Sequence, residues 1–259
     1  MVNLHDIIEK LEKNYPLSYA CSWDNVGLLV GNREKKVSKV LTALDFDIEV
    51  AREAKKVGAE LILTHHPIMF SPVNKITSDS PLGKALLFLI ENGIALYAAH
   101  TNLDCAPGGI NDYLVNLYGF KNMRHTDIEP GKEYGLGRIS ELEGPMTLKE
   151  LAGHIGKKLN LDHIYYIGSD DAVIKTAFTC SGSGGSLISA DKDADVFITG
   201  DIKYSGARDF HEQGLNVIYA GHYDTEIHAT TLFEKTLSGL DVEIIKSQAN
   251  TNIVKIQEL

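Results

Sequence analysis

Two adjacent histidines follow a short apolar segment of strand character. The segment 61–64 consists of Leu, Ile, Leu and Thr, His65 and His66 come directly after it, and Pro67 ends it. Successive side chains of a strand point to opposite faces, so the two imidazoles need not crowd one ion. They can serve two ions, or one ion and one substrate.

Two further strand-like segments end in a histidine that is followed by a carboxylate four residues later. In the first half of the chain these residues are His100 and Asp104, and in the second half they are His222 and Glu226. If Glu226 lies in the first turn of a helix, it faces the same way as His222, as paired ligands in helical zinc sites do. The shared pattern indicates two related α/β halves.

Ligands of open α/β sheets bind outside the carboxyl ends of the strands. If the halves are related, their strand ends bring together three histidines and two carboxylates, namely His65, His66, Asp104, His222 and Glu226. Five protein ligands exceed the three of a single catalytic zinc, which favours two ions with Glu226 as the bridge. These donors suit two divalent ions of zinc, iron, manganese, cobalt or nickel per subunit, and two such ions can activate a hydroxide.

Two other polar residues are candidates for proton transfer, His100 and Asp24. His100 either binds an ion or orients Asp104 or a bound water. Asp24 lies in a polar turn beside the only tryptophan, Trp23, for which we expect a core or interface position. The glycine-rich turn 182–186 is either a plain tight turn or an anion site at a helix N-terminus, although it lacks the lysine of a phosphate loop.

The composition is that of an ordinary globular protein, with 44% hydrophobic residues and a formal net charge of −10 in 259 residues. An acidic surface repels phosphate backbones, which argues against nucleic acid as a partner. The first residues lack the pattern of a signal peptide, so we expect none, and the sequence contains no run of about 18 apolar residues. Three scattered cysteines argue against a disulfide framework and fit a reducing compartment. We therefore expect a cytoplasmic protein without a membrane partner and with a small-molecule substrate.

Hydrophobic periodicity predicts an α/β protein with two similar lobes. The polar, aperiodic segment 121–132 is interpreted as a connection between lobes. We predict a metal-binding lobe of residues 1–125 with 214–259, and a smaller lobe of residues 126–213. Helices are predicted at 4–14, 48–57, 81–92, 110–118, 147–159 and 204–213, and strands at 37–44, 60–64, 94–99, 134–139, 164–167, 173–179, 195–199, 215–220, 242–245 and 252–256.

Five motifs together resemble the Nif-three-like family, also labelled GTP cyclohydrolase 1 type 2-like. The resemblance implies an α/β fold of two intertwined, similar lobes, a dinuclear metal site, and a ring-shaped homohexamer whose sites face an internal cavity. The matching position for each of the five metal ligands is intact, whereas Ser205 stands where many members have histidine. The motifs are Ser-Trp-Asp-Asn-Val-Gly-Leu at 22–28, Leu-Thr-His-His-Pro at 63–67, His-Thr-Asn-Leu-Asp at 100–104, Thr-Gly-Asp at 199–201 and Gly-His-Tyr-Asp-Thr-Glu at 221–226.

Two functional hypotheses follow. The first is a metal-dependent hydrolase that acts on a small molecule, with opening of the purine ring of GTP suggested by the family label. The second is a non-catalytic metal chaperone or ring-shaped scaffold, in which the same ligands store or deliver ions.

Overall fold

Two mixed sheets, one in each of two units, organise the chain in the computed structural model, which describes residues 1–190 and 192–254. The first unit comprises Met1–Leu103 and Ala229–Leu259, and the second comprises Asp104–His228. The predicted α/β class is confirmed. Among the described residues, no helix has the length and apolar character needed to cross a membrane.

The first unit contains a five-stranded sheet, a separate two-stranded sheet and the helices that connect their strands. Its strands are β1 (Val2–Asn3), β2 (Gly27–Val30), β3 (Lys36–Val37), β4 (Lys39–Ala43), β5 (Leu61–Thr64), β6 (Ala95–Ala98) and, later in the chain, β13 (Glu243–Lys246). Its helices are α1 (Leu4–Asn14), α2 (Ile48–Val57), α3 (Pro81–Glu91) and α9 (Ala229–Leu237), and the division between the units falls inside α4 (Thr101–Cys105).

Three consecutive parallel strands form the centre of the five-stranded sheet. β4, β5 and β6 lie side by side, β13 extends the sheet in parallel beside β4, and β2 runs antiparallel beside β6. All four residues of β5 and all four of β6 are buried, as expected for parallel strands covered on both faces. The carboxyl ends of β5 and β6 therefore meet at one edge of this sheet.

Local sequence signals explain where the helices of the first unit begin and end. Asp47 caps α2 by accepting hydrogen bonds from two backbone amides of its first turn, and Gly58 ends it in a left-handed conformation with φ +75°. Pro81 occupies the first turn of α3, after the N-cap Ser80. In α1, the apolar side chains at helical spacing are fully buried, as predicted.

The second unit contains a six-stranded sheet in which β7 and β9 are the edges. Its strands are β7 (Lys121–Thr126), β8 (Gly137–Thr147), β9 (Tyr165–Ile167), β10 (Val173–Cys180), β11 (Val196–Thr199) and β12 (Val217–Tyr219). Its helices are α5 (Ile110–Tyr118), α6 (Leu148–Leu159), α7 (Tyr204–Glu212) and α8 (His222–Glu226).

The two sheets share a pattern that supports related halves. In the second unit, β10, β11 and β12 are parallel neighbours in chain order, and β9 runs antiparallel beside β12. This is the arrangement of β4, β5, β6 and β2 in the first unit. The similarity of the lobes that was inferred from two histidine-ended segments thus extends to strand order and direction.

Several predicted boundaries differ from the structure for identifiable reasons. Segment 121–132, predicted as a connection, begins with β7, a polar edge strand that pairs antiparallel with β8. Side-chain hydrogen bonds of Lys121 with Glu143 and of Asn122 with Glu141 add to this pairing. The units divide after 103 and 228 rather than after 125 and 213, because α5 shares a core with α6 and β12 belongs to the second sheet. Residues 252–254 are not in a strand, and the rest of the predicted strand 252–256 lies outside the described residues.

A fully buried arginine, Arg138 on β8, holds the start of the second unit together. Its guanidinium donates to the Asp112 carboxylate and to the backbone carbonyls of Asp104, Cys105 and Ala106, at 3.0–3.3 Å for the three carbonyls. These acceptors include the end of α4, so Arg138 fixes the backbone that carries Asp104. A buried charge is tolerated only when it is paired and hydrogen bonded.

We expect Arg138→Met to lower the free energy of unfolding by about 3–5 kcal/mol, because it leaves the Asp112 charge and the carbonyls without their donor. Urea unfolding of the metal-free protein measures this loss. The matched control is Arg52→Met, which removes an exposed ion pair with Glu49 and should cost less than about 1 kcal/mol. Equal losses in the two variants would contradict the assigned role of Arg138.

Candidate metal centre

Three histidines of the first unit converge at the carboxyl ends of β5 and β6. The parallel register pairs Thr64 with Ala98, so the residues that follow β5 lie beside those that follow β6. Ligand nitrogens of His65, His66 and His100 lie within 4.8 Å of one another. Since β5 ends at Thr64, both His65 and His66 lie beyond the strand and escape its alternation between faces. This histidine group (His65, His66 and His100) has the spacing to hold a metal ion.

Each member of the histidine group uses its Nδ1 atom in a hydrogen bond to an oxygen that can only accept. Such a partner requires the proton on Nδ1, so in the neutral ring the lone pair is on Nε2. Metal-binding histidines are commonly oriented in this way. The pairs are His65 with Ala99 O at 2.8 Å, His66 with Asp45 Oδ1 at 2.7 Å, and His100 with Asp24 Oδ1 at 3.0 Å.

Strand register also explains why these acceptors are present. The pairing of Ala43 with Thr64 between β4 and β5 places Asp45 beside His66. The antiparallel pairing of β2 with β6 in the same way brings the turn that precedes β2, and with it Asp24, beside His100. The sheet therefore supplies both the imidazoles and the groups that orient them.

Asp24 is held as a carboxylate. Burial disfavours its charged form, but hydrogen bonds from His100 and from the amide and hydroxyl of Thr101 outweigh burial and lower the pKa of Asp24 to about 2. At neutral pH Asp24 is therefore an ionised acceptor that orients His100. Trp23, its neighbour in the turn, is 58% exposed and is not a core residue of the first unit.

The second unit carries the other predicted ligands at the ends of its own parallel strands. His222 begins α8 and Glu226 ends it, with 2.8 Å between His222 Nε2 and Glu226 Oε2. His222 Nδ1 lies 2.7 Å from Asp201 Oδ2, because the register of β11 with β12 sets the residues after Thr199 beside those after Tyr219. His222 thus repeats the pairing of Nδ1 with a carboxylate that is present in the first unit.

The carboxylates of Asp201 and Glu226 keep His222 protonated. The hydrogen bond to Asp201, followed by that to Glu226, raises the pKa of His222 to about 10. The hydrogen bond from His222 in turn lowers the pKa of Asp201. In the metal-free chain at neutral pH, His222 is therefore an imidazolium between two carboxylates.

The glycine-rich turn 182–186 serves the site by leaving room for Glu226. Gly182 has φ +58°, and a Cβ atom there would lie 1.9 Å from Glu226 Oε1 and 3.3 Å from His222 Cε1. The Gly182 carbonyl also accepts the amides of Gly200 and Asp201. The turn is therefore a close backbone approach that only glycine permits.

Asp104 lies in α4 and is buried in the second unit. Burial, and then the negative charges of Asp104, Asp127 and Glu226, raise the pKa of the Cys180 thiol. Cys180 is therefore protonated and offers no thiolate, while the nearby carboxylates favour a cation. The donor set of imidazoles and carboxylates fits a divalent ion such as zinc, iron or manganese.

No role was predicted from the sequence for Asp45 or Arg138. Asp201 was noted only within the Thr-Gly-Asp motif, and the turn 182–186 was interpreted as a tight turn or an anion site, without the contact between Gly182 and Glu226. The two aspartates had a detectable signal, because each follows a buried parallel strand in the same way as the histidines do. Arg138 and Gly182 act through long-range contacts, which no local pattern reveals.

We expect Gly182→Ala to displace the Glu226 carboxylate from His222, because the added methyl group would occupy the position of Glu226 Oε1. Loss of this acceptor should lower the pKa of His222 below about 10. NMR titration of the His222 ring in metal-free protein measures the change. Gly214→Ala is the matched control, since Gly214 has φ +71° and open space around its Cα. An unchanged His222 pKa in Gly182→Ala would contradict the argument.

Metal binding at His222 should release a proton at pH 7. The pKa of about 10 keeps this imidazole protonated in the metal-free chain, and an imidazolium has no lone pair for an ion. Calorimetric titration with Zn²⁺ in two buffers of different ionisation enthalpy measures the protons released. His222→Gln should reduce the release by about one proton, whereas His211→Gln, on the exposed end of α7, should not. Equal release in both variants would refute this assignment.

Comparisons with known proteins agree with this architecture. The family model described as Duf34/NIF3 (NGG1p interacting factor 3) matches residues 2–253. A protein of Clostridium perfringens named "GTP cyclohydrolase 1 type 2 homolog" is 43% identical over 228 residues, which cover 87% of each chain.

Two solved structures are similar over nearly the whole chain. The Staphylococcus aureus hypothetical protein SA1388 has a TM-score of 0.88 and 30% identity, covering 98% of this chain and 99% of that one. Reduced HcgD from Methanocaldococcus jannaschii has a TM-score of 0.82 and 35% identity, covering 95% and 97%. By its family match and by its relatives, this chain belongs to the Duf34/NIF3 family.

Proposed function

We propose that this protein is a metal-dependent hydrolase that holds two divalent ions and opens the purine ring of GTP or of a related compound. The metal-binding part of this proposal rests on the orientation of four histidines, each of which has its Nδ1 atom hydrogen bonded to an acceptor oxygen. The proposed ligands are His65, His66, Asp104, His222 and Glu226, with Glu226 as the bridging carboxylate.

The chemistry of the donors supports two ions rather than one. Five ligands exceed the need of a single catalytic ion, and a carboxylate has two oxygens with which to bridge. The name of the C. perfringens relative, "GTP cyclohydrolase 1 type 2 homolog", supports the choice of substrate. The resemblance to the family also supports a ring-shaped homohexamer, which we propose as the assembly.

The protein residues have distinct tasks in this proposal. Two bound ions would supply a water of lowered pKa and stabilise the leaving group. Asp45 and Asp201 keep His66 and His222 in their binding orientations through Nδ1. His100, held by Asp24, presents Nε2 as the atom that accepts a proton from the attacking water or returns one to the leaving nitrogen.

Metal analysis and a turnover assay test the proposal on untagged protein. We expect about two ions per chain after reconstitution, and formate release from GTP. Glu226→Gln should lower turnover by at least about 100-fold while the assembly, measured by light scattering, keeps its mass. Glu212→Gln, on the exposed surface of α7, is the control and should keep full turnover.

Other outcomes would separate the proposal from its alternatives. Fewer than one ion per chain would refute the dinuclear site. Two readily exchangeable ions without turnover of GTP or of other nucleotides and phosphate esters would favour a metal chaperone or scaffold. Formate release that persists in His65→Ala would show that the reaction does not depend on these ligands.

A further inference from the structure

Two large aromatic side chains lie exposed beside the histidine group. Trp23 is 58% exposed and Phe70 is 52% exposed. The Trp23 ring centroid lies 5.9 Å from that of His100 at an interplanar angle of 71°, and the Phe70 centroid lies 5.7 Å from it at 77°. Both rings therefore meet His100 edge to face and keep much of their surface open to solvent.

Hydrogen bonds hold these two aromatic residues in place although they are exposed. Asp24, which follows Trp23, is bound to His100 and Thr101. The Asn25 side chain donates to the carbonyl of Met69 at 2.6 Å, which ties the turn of Trp23 to the residue before Phe70. Aromatic rings that are ordered in advance bind a ligand at a lower entropic cost than rings that must be ordered on binding.

We propose that Trp23 and Phe70 form an aromatic clamp that stacks on the planar ring of a heteroaromatic substrate beside the histidine group. The inference rests on the proposed hydrolase and names the two residues that would bind the fused ring of its substrate. Base–aromatic stacking is independent of base identity because every base has a π face. A sugar phosphate without a ring system of this kind gains nothing from the clamp.

The clamp also determines which part of the substrate faces the ligands. His100 is the shared neighbour of Trp23 and Phe70, and its centroid lies 5.1 Å from that of His65 and 5.4 Å from that of His66. A ring that stacks on Trp23 or Phe70 is therefore next to the metal-binding imidazoles. This geometry favours cleavage within the ring over hydrolysis of a distant phosphate ester.

A small ligand fits this surface better than a second protein does. A stable protein interface buries about 800 Å² on each partner. The clamp consists of two side chains among polar neighbours, with Ser22, Asn25 and Ser71 exposed beside them. Its apolar extent suits one planar ring.

Trp23 is the only tryptophan of the chain, so intrinsic fluorescence reports directly on the clamp. We expect guanosine to quench this fluorescence saturably in metal-free protein, and ribose 5-phosphate to leave it unchanged. Phe70→Leu should weaken guanosine binding by about tenfold. Tyr204→Leu, which removes another exposed ring, 80% exposed on α7, should bind guanosine as the wild type does.

The opposite results would overturn the clamp. Quenching that does not distinguish guanosine from ribose 5-phosphate, or equal binding by the Phe70→Leu and Tyr204→Leu variants, would refute it. A change of assembly mass in Phe70→Leu would instead assign these rings to a contact between subunits. The binding assay needs neither metal nor turnover, so its result can be interpreted even if the proposed hydrolase activity is not found. If the enzyme is active but quenching does not distinguish guanosine from ribose 5-phosphate, only the clamp is refuted.

Discussion

The hydrogen bond from a histidine Nδ1 to an oxygen at the end of a neighbouring strand is the interaction on which both candidate ligand groups depend. A free imidazole has two tautomers and rotates about two bonds, so its ligand nitrogen has no fixed direction. An acceptor oxygen at 2.7–3.0 Å selects one tautomer and one orientation. Ala99, Asp45 and Asp201 follow parallel strands, and Asp24 lies in the turn before the antiparallel strand β2, so the positions of these acceptors follow from the register of the sheets.

This arrangement has an electrostatic cost that the surrounding structure must offset. Three of the four acceptors are carboxylates, and charged groups near a buried region require partners. Asp24 is stabilised as an anion by hydrogen bonds from His100 and Thr101. In the second unit, Arg138 offsets part of the negative charge that Asp104, Asp127 and Glu226 exert on Cys180. Within each unit, the ligands are thus positioned by groups whose charge is compensated by neighbours in that same unit.

Local patterns in the sequence were sufficient to predict several helices and the histidines at the ends of buried strands. The helices at 4–14, 48–57 and 110–118 match the structure to the residue, since amphipathic spacing and caps define them. His65, His66 and His222 were found because polar residues at the ends of buried strands stand out against apolar neighbours. That these residues share one dinuclear site between the halves stays a prediction.

What the sequence did not predict depends on register and on tertiary contacts. Asp45 and Asp201 become partners of histidines only because particular strands pair in a particular register. β7 was missed because an edge strand that is stabilised by side-chain contacts carries no apolar alternation. Trp23 was expected in a core or an interface; its exposure of 58% contradicts the core, and the interface stays a prediction.

The two units supply different types of ligand for a metal ion. The first unit supplies three imidazoles, which are neutral donors when deprotonated and cost little to hold close together without an ion. The second unit supplies carboxylates whose mutual repulsion is relieved by the imidazolium of His222 in the metal-free chain. A divalent ion there replaces a proton by two positive charges, so it compensates the carboxylates more fully than His222 does. A metal ion should therefore stabilise the second unit in part by compensating the like charges of Asp201 and Glu226.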